Sequence, residues 1–228
     1  TTGLSKGAML THRNIVANLH QSGAWTSTDF VEGKEVVISP LPMYHIFCLT
    51  ATLSFMKWGS LNVLVTNPRD LPAMFKQLKG ERIHSFPAVN TLFNAMAHHA
   101  DFGSVDWSHL KISVGGGMAV QGAVAKLWLE KTGCPICEGY GLSETSPSAS
   151  CNPTTSTEYT GTIGVPLPST FSHRSPRSRS SRLTCSLRAL KAAASSVGDR
   201  GETRRLVCST RSFTNRDSSM TAPIRRPI

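Results

Sequence analysis

The first seven residues, Thr1, Thr2, Gly3, Leu4, Ser5, Lys6 and Gly7, gather hydroxyls, glycines and one ammonium. Glycines let backbone N–H groups curl around an anion, and a lysine adds a point charge. The Walker spacing G-x-x-x-x-G-K-[ST] is absent, so the pattern also fits a plain Gly/Ser-rich loop. A second group is "EGYGLSETSP" at 138–147. Tyr140 and Gly141 would present a flat ring beside open backbone, suited to an aromatic base. The Ser143 hydroxyl could meet a phosphate oxygen, and the Glu144 carboxylate suits Mg²⁺, a hard cation that takes oxygen ligands. The same residues also read as a polar loop with a capping serine and a solvated glutamate. The third group, "SVGGGMAV" at 113–120, ends an apolar run in Gly115, Gly116 and Gly117. Three glycines allow close approach of a ligand to the backbone, or a tight strand-to-helix turn. In the fourth, "PLPMYHIF" at 40–47, proline-stiffened backbone presents Tyr44 and His45. A lone histidine is structural as readily as it is catalytic.

These groups need elements to carry them. Thr11 can cap a helix through Ile15, Val16 and Leu19. Short β-branched or apolar runs at 35–39, 61–65, 83–86 and 110–117 read as buried strands, and "CPICEGYG" as a strand entering a loop. Helical spacing fills the intervals 43–57, 70–79, 88–99 and 119–131. This alternation predicts an α/β fold, a largely parallel sheet flanked by helices. Ligands then sit at the carboxyl ends of the strands, where the Gly115–Gly117 and Gly139–Gly141 loops leave the sheet.

The charge balance divides the chain. Residues 1–170 carry 11 Lys/Arg and 11 Asp/Glu, so the whole net charge of +10 lies in residues 171–228. That stretch holds 12 Arg and 12 Ser in 58 residues and loses the hydrophobic periodicity. It is expected to be disordered, because it cannot bury enough apolar surface to offset chain entropy. Arg/Ser segments also bind RNA through phosphate charge, which makes a nucleic-acid-binding protein the alternative function. Against it, Phe213 is the one aromatic after Phe171, so stacking platforms are missing. Cys134 and Cys137 have C-x-x-C spacing but no second pair to complete a zinc site, and read as buried thiols. No apolar run reaches the roughly 18–20 residues of a membrane span, and the first residues do not read as a signal peptide, because Lys6 is followed by a mixed, polar stretch. A cytoplasmic protein is expected.

Taken together, "TTGLSKGAMLTHRN", "PLPMYHIF", "GGGMAV" and "EGYGLSETSP" resemble the adenylate-forming acyl-CoA synthetases, in order and spacing. "GTIGVPLPST" at 161–170 resembles the stretch that follows in that family. The nearest likeness is to the bacterial long-chain fatty-acid–CoA ligases. The resemblance implies a partial AMP-binding N-terminal domain over 1–170, with a tail over 171–228 foreign to the family. It implies ATP, Mg²⁺, CoA and a fatty acid as cofactors and partners, and allows a peripheral membrane contact. Thr1, Thr2, Gly3, Ser5, Lys6 and Gly7 would cradle the outer phosphates. Tyr140 would stack on adenine, with Gly141 beside it, and Ser143 would touch phosphate. Glu144 would hold the metal, Gly115, Gly116 and Gly117 would line the adenine and acyl pocket, and His45 would sit near the acyl carboxylate. Lys6, His45 and Glu144 are the catalytic candidates. Two features depart from the family. Ser5 stands where its phosphate loop has proline, inside a motif that usually begins earlier, which implies a truncated start. The Thr-Gly-Asp ribose motif and the small domain with a catalytic lysine do not appear, which implies a fragment inactive alone, and the abrupt Arg/Ser composition implies a frameshift after residue 170.

Overall fold

The computed structural model describes residues 7–26 and 30–170. Residues 1–6, and with them most of the phosphate-loop candidates, lie outside the described residues. So does 171–228, with the disorder and nucleic-acid expectations attached to it.

Within the described residues, helix and strand alternate as the sequence pattern predicts. The order is α1 (His12–Thr26), β1 (Val36–Ser39), α2 (Ile46–Lys57), β2 (Leu61–Leu64), α3 (Leu71–Leu78), β3 (Ser85–Ala88), α4 (Asn90–Ala97), β4 (Ile112–Gly115), α5 (Gly122–Thr132), β5 (Ile136–Gly141), β6 (Ser148–Cys151) and β7 (Val165–Pro166). The strands form one sheet in the order β2-β1-β3-β4-β5-β6-β7. The first five run parallel, joined by helical crossovers. β6 and β7 extend the sheet antiparallel to their neighbours. They escape the sequence reading because Ser-Ala-Ser-Cys has no apolar or β-branched run.

Local chemistry sets the helix limits. At α1, Asn14 N–H donates to Thr11 Oγ1 at 3.2 Å and Thr11 N–H donates to Asn14 Oδ1 at 3.1 Å, a reciprocal cap. At α3, the Asp70 carboxylate accepts the Ala73 N–H at 3.1 Å, and Met74, Phe75 and Leu78 form the buried stripe. α5 ends at Gly133, whose φ of 71° suits a residue without Cβ.

The period of two along β3 and β4 sorts their side chains onto opposite faces. On one face Phe86 and Ala88 join a core with Phe93, Trp107 and Trp128, from α4, α5 and the segment before β4. Trp128 is fully buried and its indole N–H donates to Ser113 Oγ at 2.8 Å. On the other face Ser85, Pro87, Ile112 and Val114 border a hollow beneath α1 and α2.

The two ends of the sheet also differ. At the amino ends of the strands, Glu35 is buried and accepts from Lys111 Nζ at 2.8 Å and from the Val31 N–H at 2.6 Å. His84 Nδ1 accepts the Val36 N–H at 2.9 Å. Burial holds the His84 imidazole below its ordinary pKa. At the carboxyl ends, β4 opens into the Gly116–Gly117 turn, whereas Gly139–Gly141, expected from the sequence to form a loop, belong to β5, because β6 pairs with their backbone. Among the described residues, no helix is long and apolar enough to cross a membrane.

Candidate active site

α1 is fastened over the sheet by side chains that imitate backbone. Asn18 donates to the Ser148 carbonyl at 2.8 Å and accepts the Ser148 N–H at 3.1 Å, pairing with the edge of β6. One helical stretch further on, the Trp25 indole donates to the Asn152 carbonyl at 3.1 Å. α2 starts at His45, whose Nδ1 accepts the Phe47 N–H at 3.2 Å. That bond assigns the proton of neutral His45 to Nε2.

Between these helices and the sheet lies a cavity of about 400 Å³. Its interior is lined by Phe30, Phe55, Trp58, Ile112, Val114 and Leu167. Phe30 stands edge-on to Phe55 and Trp58, with ring centroids at 5.2 and 6.2 Å. The other end is polar and glycine-rich. Gly116 and Gly117 border it after β4, Tyr140 and Gly141 at the end of β5, Ser143 and Glu144 just beyond it, and His45 across from them. His45, Ser143 and Glu144 are exposed, so this end is the mouth. Among the described lining residues, His45 is the one histidine and Glu144 the one carboxylate, and none is a lysine or an arginine. The cavity is therefore shaped for an amphiphile, with its polar head at the strand ends and its apolar tail beneath α1 and α2.

The loop carrying Ser143 and Glu144 is held from within. Thr145 Oγ1 accepts the Leu142 N–H at 2.9 Å, and the hydroxyl also contacts the Pro147 carbonyl. The Leu142 N–H reaches the Pro147 carbonyl at 3.1 Å as well. Thr145 and Asn18 are thus positioning residues that the sequence reading passed over. A threonine after Ser-Glu was a visible signal. Nothing in the sequence pointed Asn18 at β6, some 130 residues away.

Seven sequence candidates thus meet at one cavity: His45, Gly116, Gly117, Tyr140, Gly141, Ser143 and Glu144. Gly115 lies behind the wall. A Cβ there would come within 2.5 Å of Val120 and 2.8 Å of Ile136, so its glycine serves close packing on the far face. Gly7 is exposed and is not among the lining residues. Thr1, Thr2, Gly3, Ser5 and Lys6 lie outside the described residues. The cysteines are all buried where described. Cys134 meets the Ser113 hydroxyl at 3.6 Å, while Cys137 meets Cys151, so the C-x-x-C spacing does not make a pair.

Residues 1–171 match the family described as AMP-binding enzyme. The chain belongs to that family. The long-chain-fatty-acid–CoA ligase of Salmonella typhimurium is 48% identical to this AMP-binding domain over 171 residues, covering 75% of this chain and 30% of that one. The ligase of the same name from Bacillus subtilis is 35% identical over 171 residues, with the same coverage. Among solved structures, the N-terminal domain of FACL13 from Mycobacterium tuberculosis superposes with a TM-score of 0.62 at 23% identity, over 75% of this chain and 42% of that one. That likeness shows the fold. The chain spans about 30% of the length of the curated ligases it matches. The nucleic-acid alternative gains nothing from these relatives, since the family match ends at residue 171.

Proposed function

We propose that residues 1–170 are the AMP-binding part of a long-chain fatty-acid–CoA ligase, which activates a fatty acid with ATP and passes it to CoA. The observation that carries this reading is the amphiphile-shaped cavity, apolar beneath α1 and α2 and polar where the glycine loops leave the sheet. The acyl chain lies against Phe30, Phe55 and Ile112. Its carboxylate lies near His45, whose Nε2–H is the available donor. Tyr140 stacks on adenine and Ser143 donates to a phosphate oxygen.

Charge builds on the phosphorus when the carboxylate attacks the α-phosphate and pyrophosphate leaves, so donors aimed at those oxygens lower the barrier. The carboxylate of Glu144 fits Mg²⁺: it is exposed at the mouth, and among the described residues no basic side chain pairs with it. Bound there, the metal would neutralise phosphate charge. Lys6, with Thr1, Thr2, Gly3, Ser5 and Gly7, is assigned to the outer phosphates. Gly116 and Gly117 let the nucleotide approach the β4 loop. The reading places the protein in the cytoplasm and allows a peripheral contact with the membrane.

The test is nucleotide titration by calorimetry on the 228-residue chain, beside a pyrophosphate-exchange assay. ATP is expected to bind in the millimolar range, about −4 kcal/mol, and more tightly with Mg²⁺. Lys6→Ala should weaken ATP more than AMP, and Tyr140→Ala should weaken both alike. Exchange is expected at background, because the sequence carries no Thr-Gly-Asp ribose motif. Equal loss of ATP and AMP in the Lys6 variant would overturn its phosphate role. Brisk fatty-acid-dependent exchange would overturn the claim that these residues bind without turnover.

A further inference from the structure

We infer that Cys137 and Cys151 form a redox-active dithiol at the wall of the cavity, which a hydroperoxide converts into a disulfide. The two sulfurs are 3.5 Å apart, on neighbouring antiparallel strands β5 and β6. The register pairs Cys151 with Gly139. Cys137 lies two positions from Gly139 on the same strand, so both thiols share one face of the sheet. Gly139 makes the meeting possible. It has no side chain, and a Cβ placed there would stand 3.7 Å from Cys151 Sγ. The sulfur of Cys151 therefore leans across Gly139 to its diagonal neighbour. A disulfide has an S–S distance of about 2.0 Å, so closure asks the sulfurs to approach by roughly 1.5 Å.

The two thiols are not equivalent. Cys151 is 9% exposed and borders the cavity, whereas Cys137 is not among the lining residues. Cys137 donates its S–H to the Asn152 carbonyl at 3.0 Å. Its hydrogen bond with Cys151, together with burial, pushes the Cys137 thiol up. Cys151 is thus the group an entering oxidant meets, and Cys137 is the one that resolves. The Cys151 thiolate attacks one peroxide oxygen, the O–O bond breaks, and the departing alkoxide or hydroxide takes up a proton to leave as alcohol or water. This gives a sulfenic acid at Cys151. Cys137 then attacks that sulfur. The S–O bond breaks, the hydroxyl leaves with the Cys137 proton as water, and the S–S bond forms.

The approach to Cys151 runs through an apolar cavity. An apolar hydroperoxide should reach it more readily than hydrogen peroxide. β5 itself carries Tyr140 and Gly141 and leads into the Ser143–Glu144 loop, so a covalent tie at Cys137 stiffens the strand that carries the nucleotide-side candidates. The dithiol stands on geometry alone, and its failure leaves the ligase reading untouched.

The experiment oxidises the reduced 228-residue chain with cumene hydroperoxide or with hydrogen peroxide, blocks remaining thiols with iodoacetamide, and digests with Glu-C without reduction. Cleavage after Glu130, Glu138 and Glu144 puts Cys134 and Cys137 on one peptide and Cys151 on another, and tandem mass spectrometry of the linked pair identifies which cysteine carries the bond. The expected product is a peptide pair joined through Cys137 and Cys151, released by dithiothreitol and formed several-fold faster with cumene hydroperoxide. Cys151→Ser should abolish the link. Cys137→Ser should leave Cys151 as a sulfenic acid that dimedone traps, and circular dichroism should show both variants folded as the parent. A link through Cys134 or Cys48 instead, both thiols alkylated after treatment, or no dimedone adduct on Cys151 would overturn the dithiol. Equal rates with the two peroxides would overturn the route through the cavity.

Discussion

The two faces of the central sheet are made from the same strands and do opposite things. On the face towards α3, α4 and α5, Phe86, Phe93 and Trp128 are fully buried, and their rings stack or meet edge-on at 4.8 to 5.6 Å. On the face towards α1 and α2, Ile112 and Val114 look into a cavity of about 400 Å³. Aromatic rings occur on both faces, so composition does not separate them. What separates them is contact. Packed interiors reach the density of organic crystals, and a surface left unfilled forfeits that dispersion energy. The filled face supplies stability, and that stability supports a hollow on the other side. Four tests probe that division, and they fall in order of size.

The largest effect belongs to the filled face. Trp128→Ala removes a fully buried indole in contact with Phe86, Phe93, Phe102 and Trp107. It also leaves Ser113 Oγ without its 2.8 Å donor. The expected loss is about 3–5 kcal/mol, read as a fall in the urea midpoint. A loss below about 1 kcal/mol would show that this face is not the one that holds the fold together.

The next test uses two adjacent glycines that belong to different faces. A Cβ on Gly115 would collide with Val120 at 2.5 Å and Ile136 at 2.8 Å, both packed against the core. Gly115→Ala is expected to cost about 1–3 kcal/mol. A Cβ on Gly116 would meet the Phe47 ring at 3.2 Å, and that ring borders the cavity and can swing into it. Gly116→Ala should cost less than about 1 kcal/mol. Thermal melts of both variants check the contrast, and similar shifts in Tm would break it.

These particulars show what the sequence could reveal. The helices and the parallel strands were legible, because cap residues and apolar periodicity are local signals; Gly139–Gly141, expected as a loop, instead extend β5, since their partner β6 shows no strand pattern of its own. The candidates around the cavity were legible through the resemblance, which gathered His45, Tyr140, Ser143 and Glu144 before any contact was known. The two faces were not legible. In a strand buried on both sides, Ile112 and Val114 look no different from Phe86 and Ala88. The sequence places this strand at 83–86, ending before Pro87. The structure carries the strand through Pro87 to Ala88, next to β4, while its pairing with β1 stops at Ser85. A residue without an N–H fits there because the ladder on that side has already finished. The third glycine group, read whole as a ligand loop, divides at Gly115 for the same reason: its partner Val120 is known only from the fold.

Filling the hollow should do what emptying the core does not. Ala51 lines the cavity from α2 and is partly buried. Ala51→Phe places a ring where the acyl chain is assigned. Affinity for a fluorescent long-chain fatty acid should fall about tenfold, or about 1.4 kcal/mol, with little change in Tm. Unchanged affinity would move the acyl chain out of this cavity. A large fall in Tm would mean that this face is packed after all.

The smallest effect is a pH dependence on the filled face, where Glu138 sits beside Gly115. Glu138 is 4% exposed and lies on β5. Burial pushes its carboxyl up to about 7, although the backbone N–H groups of Val120 and Gly161 pull the other way. Its Oε2 has no partner among the described residues. The ordinary value, 4.5, applies to the unfolded chain. Between these two values the folded state keeps a proton that the unfolded chain has released, so raising the pH favours unfolding. The contribution of Glu138 is fully present below 4.5 and is lost as pH rises through 7. From pH 6 to 8 the loss amounts to about 1 kcal/mol. His84 acts on the other side. Burial lowers its pKa, so its destabilising protonation belongs to the acid range below 6.5 and leaves the interval above it to Glu138. Stability of the parent should therefore decline from pH 6.5 to 8, and Glu138→Gln should flatten the decline because its amide does not ionise. Urea midpoints at three pH values measure both. A parent whose stability rises over this interval would place the ionised carboxylate, not the acid, in the folded state. Val120 and Gly161 would then be its sufficient partners, and the strand that delivers Tyr140 and Glu144 to the mouth would be held by charge rather than by a shared proton.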